Sequence, residues 1–132
     1  MPIEPTRLRA VHAAITIGRP SPRVVLVTIT GQDTGELGDA PFREIEKHLG
    51  GSERPEIFVD ARATLGASVD VSAAWASWLM DNKARYARLS ILTGSRFIEL
   101  TASFVQRFTA LGDQMRIYTE PAAFEAALRE CG

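Results

Sequence analysis

The strongest constraint in this chain is an alternation. Short runs of mostly apolar residues, "EIFVD" at 56–60, "RLSILT" at 88–93 and "MRIY" at 115–118, are separated by helical stretches at about 70–86 and 95–111. A last helical stretch near 121–130 begins at Glu120-Pro121. Buried strands of four to six residues joined through helices predict crossover connections and a parallel sheet covered on its faces. Ahead of them, "RAVHAAITI" at 9–17 and "RVVLVTIT" at 23–30 flank the turn-forming "GRPSP", which predicts an antiparallel hairpin. A polar, Gly-rich stretch at 31–38 leads to Pro41, and a helix is predicted from there to about Leu49, closed by Gly50-Gly51. The order β-β-α-β-α-β-α-β-α describes an α/β sandwich, mostly parallel, with an antiparallel strand at the start. No internal repeat or linker divides the 132 residues, so a single domain over 1–132 is expected.

Composition narrows the classes of function. A net charge of −1 provides no basic field for a phosphate backbone, so no nucleic-acid partner is expected. Every apolar run falls far short of the ~20 residues that cross a bilayer. The N-terminal "MPIEPTRLR" has no apolar leader core, so a cytoplasmic location is expected. Cys131 is the only cysteine, which rules out an internal disulfide and offers no metal cluster. Arginine far outnumbers lysine, with Lys47 and Lys83 the only lysines, a bias of GC-rich bacterial coding.

Enzymatic signatures are missing. A Ser-His-Asp device needs a histidine, and only His12 and His48 are present. His12 falls in the first predicted strand, and His48 in the last turn of the first helix, where a partly positive ring suits the dipole. No nucleophile elbow, phosphate-binding Gly-Lys-Ser/Thr loop or metal-spaced ligand set occurs. The chain is therefore expected to have no catalytic residue, cofactor or metal. Asp60 at a strand end, Thr93 at the next and Glu120-Pro121 at the third echo a phosphoryl-accepting receiver. However, the metal-holding acidic pair is absent, and an acid stands where a lysine would neutralise the acyl phosphate.

Ligands of open α/β sheets sit beyond the carboxyl ends of the parallel strands. That edge should gather Asp60 to Asp70, Thr93-Gly94-Ser95-Arg96 and Thr119-Glu120, bordered by 31–38. Asp60 and Arg62 are placed to pair with each other or with loop groups. Asp70 is expected to cap the second helix, and Ser95 to cap the third or to help hold a small anion. Val71, Trp75, Trp78, Leu79 and Asn82 share one helical face, with Trp78 the better candidate for partial exposure beside Met80. On the third helix Phe97, Ile98, Leu100, Phe104, Val105, Phe108 and Leu111 span about 160°, wider than the ~100° a core stripe needs. The extra width from Ile98 and Val105 predicts a second buried contact: a dimer partner, a lipid pocket wall or a membrane surface, with a homodimer interface ranked ahead of membrane docking.

The element order, and "FVDARATLGASVDVSAAW" in particular, resembles the STAS superfamily of anti-sigma-factor antagonists, and within it the SpoIIAA-like group. The likeness covers roughly residues 8–130. It rests on Asp60-x-Arg62, Gly66, Asp70 and Ala74-Trp75, then the strand from Arg88 to Gly94 and the "RIY" of Arg116 to Tyr118. The resemblance implies a non-catalytic regulatory domain that meets a protein partner such as a kinase or anti-sigma factor. It also implies a phosphorylated serine at the start of the second helix. Here that region reads Ser68-Val69-Asp70-Val71-Ser72, so Ser72 or Ser68 is the candidate hydroxyl. The SpoIIAA-like group further implies, as the rival reading, a lipophilic small ligand or membrane association. The expected contact edge comprises Asp60, Arg62, Ser68, Asp70, Trp78, Thr93, Gly94, Ser95, Arg96, Phe97 and Ile98. A pocket of a few hundred Å³ between the second and third helices would favour the ligand reading.

Overall fold

The computed structural model describes residues 5–51, 53–108 and 111–131; within them the side chains of Phe97 and Phe108 are outside the description. Six strands form one sheet in the order β1-β2-β3-β4-β5-β6. They are β1 (Thr6–Arg9), β2 (Ala13–Ser21), β3 (Val24–Asp33), β4 (Glu56–Ala67), β5 (Arg88–Thr93) and β6 (Met115–Tyr118). The helices are α1 (Ala40–Glu46), α2 (Val69–Asp81), α3 (Arg96–Phe108) and α4 (Pro121–Cys131). β1, β2 and β3 pair antiparallel, whereas β3 through β6 pair parallel. The mixed α/β architecture and the succession of elements agree with the sequence. One difference is at the start, where the run 9–17 divides. The chain turns at residues 10–12, with the Ala10 amide bonded to the Ala13 carbonyl at 2.8 Å, and the segment before the turn adds β1 to the edge.

Strand order explains where the helices lie. Parallel crossovers are right-handed, and when each new strand is added on the same side, every crossover helix falls on the same face. The main core accordingly joins Phe42 and Ile45 of α1, Trp78 and Leu79 of α2, and Ile98 and Val105 of α3. These pack on Val25, Val27, Ile57, Val59 and Leu89 of the sheet. Only α4, which follows the last strand, reaches the opposite face, where Phe124 packs with Val24, Phe58 and Leu92. Along β4, Ile57 and Val59 point to one core and Phe58 to the other, the period of two that a pleated strand imposes.

The largest departure from the sequence reading is the length of β4. The stretch 61–67, expected as a loop, continues as strand and stays paired with β3 as far as Asp33↔Ala67. Two register shifts allow this: Thr28↔Asp60 is followed by Thr30↔Ala63, and Gly31↔Thr64 by Gln32↔Gly66, so β4 carries one extra residue each time. Such bulges bend a strand and re-aim its side chains. Thr64 turns inward, and its hydroxyl donates to the Ile29 carbonyl at 3.1 Å. Leu65 is left exposed.

Candidate functional site: the cleft between the second and third helices

α2 begins where β4 ends. The Ser68 amide donates to the Asp33 carbonyl at 2.9 Å, tying the helix start to the end of β3. Ser68 Oγ accepts from the Val71 amide at 3.1 Å and is the N-cap. Asp70, expected in that role, lies inside the first turn, where its charge suits the helix dipole and its side chain is exposed. Ser72 is half-buried. At α3 the expected cap holds: Ser95 Oγ accepts from the Ile98 amide at 3.2 Å, and the Glu99 amide donates to the Ser95 carbonyl at 3.0 Å.

Between α2 and α3 runs a cleft of about 740 Å³. Val69, Ala73, Ala76, Met80, Leu100 and Phe104 give it an apolar lining. Beneath it, against β4 and β5, lies a chamber of about 100 Å³. Ala67, Ser72, Thr101 and Val105 border both spaces, which makes them neighbours through the gap between the helices. Small side chains on α2 explain the opening. Ser72, Ala73, Ala76 and Ser77 occupy one side of that helix and do not fill the space toward α3. On the rim Val69 is 85% exposed and Phe104 64%.

The third helix faces the core differently from the reading of its width. Ile98 and Val105, taken as the extra part of the arc, are buried in the main core, whereas Leu100 and Phe104 are exposed. The core face of the helix centres on Ile98, Ala102 and Val105, and the opposite margin of the apolar arc becomes the cleft rim. Trp78 is a second correction. It is 8% exposed, stacked on Phe42 at 5.7 Å, with its indole N–H donating to Glu46 Oε1 at 3.2 Å. Phe42 and Glu46 of α1 cover Trp78, tertiary contacts with no local signal. Trp75 is half-buried; it meets Phe42 edge-on at 4.9 Å and lines the chamber.

The remaining predicted residues fall into two groups. Thr93 is buried and donates to the Tyr118 carbonyl at 3.3 Å. Gly94 follows it in close apposition to the Arg62 carbonyl, a position where any Cβ would collide with that backbone. Arg96 is exposed at the start of α3, and Ile98 lines the chamber. The side chain of Phe97 lies outside the described residues. Asp60 and Arg62 do pair, with Arg62 Nε donating to both Asp60 oxygens at 3.1 Å. Arg62 Nη2 also reaches Glu125 Oε1 of α4 at 3.0 Å, so this pair belongs to the α4 face rather than to the cleft. The hydrogen bonds it donates to Asp60 and then to Glu125 raise the Arg62 pKa.

Neither histidine sits as expected. His12 is exposed in the turn between β1 and β2, not within a strand. α1 ends at Glu46, so His48 lies beyond it, and burial followed by the neighbouring Arg19 lowers its pKa, favouring a neutral ring over the positive one expected. Burial, then a hydrogen bond to Glu56 Oε2 at 2.7 Å, pushes the Cys131 thiol up to about 11, opposite to the direction that makes a reactive thiolate. Among the described residues no group of three or more His, Cys, Asp or Glu side chains is arranged to hold a metal ion. No described helix is long and apolar enough to cross a membrane.

Sequence reasoning missed Ala73, Ala76 and Thr101, which line the cleft, whereas Asp33 and Thr64 of the chamber fall within the stretches expected at or beside that edge. The one legible trace was the run of alanine and serine on α2, a helix face too small to fill a helix–helix interface.

Comparison with known proteins places the fold. No protein-family model matches the chain, and no curated protein matches it. Among solved structures, a protein of the DUF3478 family with a SpoIIAA-like fold from Shewanella loihica PV-4 superposes with a TM-score of 0.65. It is 18% identical, over 95% of this chain and 98% of that one. An anti-sigma factor antagonist from Mycobacterium paratuberculosis superposes with a TM-score of 0.63 at 14% identity, over 92% of this chain and 99% of that one. The chain has a SpoIIAA-like fold.

Proposed function

We propose that this domain acts by binding, without catalysis, and that the cleft between α2 and α3 is where it binds. The observation that carries the reading is the apolar cleft of about 740 Å³ with a chamber beneath it. Small-molecule sites typically occupy about 300–1,000 Å³, are mostly apolar, and carry a few placed polar groups. Here Ser72, Ser77, Asp81 and Thr101 are those groups within the cleft. A lipophilic small ligand is the occupant that this volume favours.

The test uses a neutral fluorophore, N-phenyl-1-naphthylamine, whose emission rises in apolar sites. Emission should rise on adding the protein, and Ala73→Trp, at an exposed position on the cleft wall, should abolish the rise while leaving the melting temperature unchanged. No rise at saturating dye, or a rise indifferent to Ala73→Trp, would overturn the reading.

A second reading is favoured by the rim. Val69, Met80, Leu100 and Phe104 expose apolar surface around the cleft, which suits contact with an apolar segment of a protein partner. One solved neighbour is an anti-sigma factor antagonist, which supports regulatory protein contact in general. A second copy of the chain is one such partner, and Ser68 or Ser72 at the start of α2 is where phosphorylation would regulate it. Photo-cross-linking from position 69 in the native host should yield one discrete adduct that Phe104→Glu removes. A diffuse ladder unaffected by that change would discard it.

A further inference from the structure

The lipophilic-ligand reading leaves open which kind of head group the site accepts, and the chemistry of the lining answers it. Asp33 ends β3 and lines the chamber, yet it is only 6% exposed. Its Oδ1 accepts the Gly35 amide at 3.1 Å, and its carbonyl holds the Ser68 amide. The side chain therefore stands at the chamber end nearest the start of α2. Thr64, also in the lining, is already committed through its hydroxyl to the Ile29 carbonyl. The rest of the chamber is largely aliphatic, with Ile29, Val59, Leu79, Leu89, Ile98 and Met115 around it.

The charge of this lining has one sign. Among the described residues Asp33 is the ionisable residue of the chamber and Asp81 that of the cleft, and no lysine, arginine or histidine lines either space. A carboxylate or phosphate head group entering the chamber would meet the buried Asp33 with no basic partner in the lining. Buried charge of that kind is strongly disfavoured unless it is paired. A protonated amine gains in both respects, since it donates hydrogen bonds and carries the opposite charge.

We infer that the site takes amphiphiles with an apolar chain and a primary ammonium head, with the head at Asp33 and the chain along the cleft, and that it rejects anionic lipids. This rests on the lipophilic-ligand reading, and the experiment separates the two. Decylamine, 1-decanol and decanoate are titrated into the protein at pH 7, below the micellar range, with emission from Trp75 at the chamber wall as the readout. Decylamine should bind at least tenfold more tightly than decanoate, with decanol between them. Asp33→Asn, which keeps the oxygen that accepts the Gly35 amide, should bring decylamine to the level of decanol and leave decanol within threefold. Decanoate binding as well as decylamine, or an unchanged amine preference in a folded Asp33→Asn protein, would overturn the inference while the ligand reading stood. If none of the three binds, decanol included, the ligand reading itself falls. Should the variant fail to fold, the ranking of the three ligands on the unaltered protein decides by itself.

Discussion

Replacing Phe124 by alanine measures what holds α4 to the sheet. The ring is 1% exposed and meets Phe58 edge-on at 5.5 Å and Tyr118 at 5.9 Å. Truncating a buried phenylalanine forfeits its transfer free energy and leaves a cavity, together about 3–5 kcal/mol. Edge-on ring pairs are each worth about 0.5–1.5 kcal/mol beyond their area, which puts this site toward the upper part of that range. Unfolding entropy near 2.1 cal/mol/K per residue amounts to about 0.28 kcal/mol/K for this chain, so a loss of about 4 kcal/mol lowers Tm by about 14 °C. Since small domains hold only about 5–15 kcal/mol, the variant should remain folded but marginal. Urea and thermal unfolding followed by tryptophan emission is the assay. Trp75 and Trp78 both pack with the opposite core, so they report global unfolding rather than the release of α4 alone. Phe104→Ala is the comparison: at 64% exposed it should cost under about 1 kcal/mol. A Phe124→Ala protein within 1 kcal/mol of the parent would refute the account of α4, and a Phe104→Ala loss near 3 kcal/mol would mean that ring is covered in solution.

Gly94→Ala should destabilise by about 1–3 kcal/mol in urea titrations, because its Cβ meets the Arg62 carbonyl and backbone must move. Gly66→Ala, whose Cβ would lie 3.7 Å from the flexible Gln32 side chain, should be milder; equal losses would refute the close-approach argument. Burial and Arg19 hold the His48 ring below its ordinary 6.5, so between the two values the unfolded chain binds the proton more readily. That contribution to stability is present above about pH 6.5 and fades as pH falls toward the depressed value. The drop in Tm from pH 7.5 to 5.5 should therefore be smaller in His48→Gln than in the parent, and identical drops would count against it.

The sequence carried the fold further than it carried the site. Strands β5 and β6 are read with their bounds because each is a compact apolar run closed by turn residues. β3, expected at 23–30, continues through the polar Gly31-Gln32 to Asp33 alongside the lengthened β4. β4 is not read in full, since its two bulges break the period of two after Asp60 and small residues fill the remainder, which reads as loop. The second helix is expected to reach residue 86 and ends at Asp81. There the chain turns, with the Tyr86 hydroxyl donating to the Leu79 carbonyl at 2.9 Å, a bond that connects residues beyond any local pattern. The cleft is illegible for a related reason. Local periodicity tells which residues of a helix are apolar but not how far that helix stands from its neighbour. The partial exposure expected of Trp78 fails because Phe42 and Glu46 of α1 cover it, a contact no local pattern announces. Asp33 falls in the 31–38 stretch expected to border the edge, but its place in the chamber depends on the two bulges that carry β4 far enough to pair Ala67 with it.

The strand order along the sheet, identical to the order along the chain, has a consequence for how the protein is made. A ribosome releasing this chain from its N-terminus delivers each strand beside the edge that the previous one has just formed. No strand must wait for a later one to be inserted between it and its partner. The antiparallel β1–β3 meander can form first from local contacts, and each crossover unit then extends it by one strand, so nonlocal closure stays short at every step. Shortening the chain from its C-terminal end should thus yield nested, progressively narrower sheets, with α4 the one piece whose loss leaves every strand pairing in place.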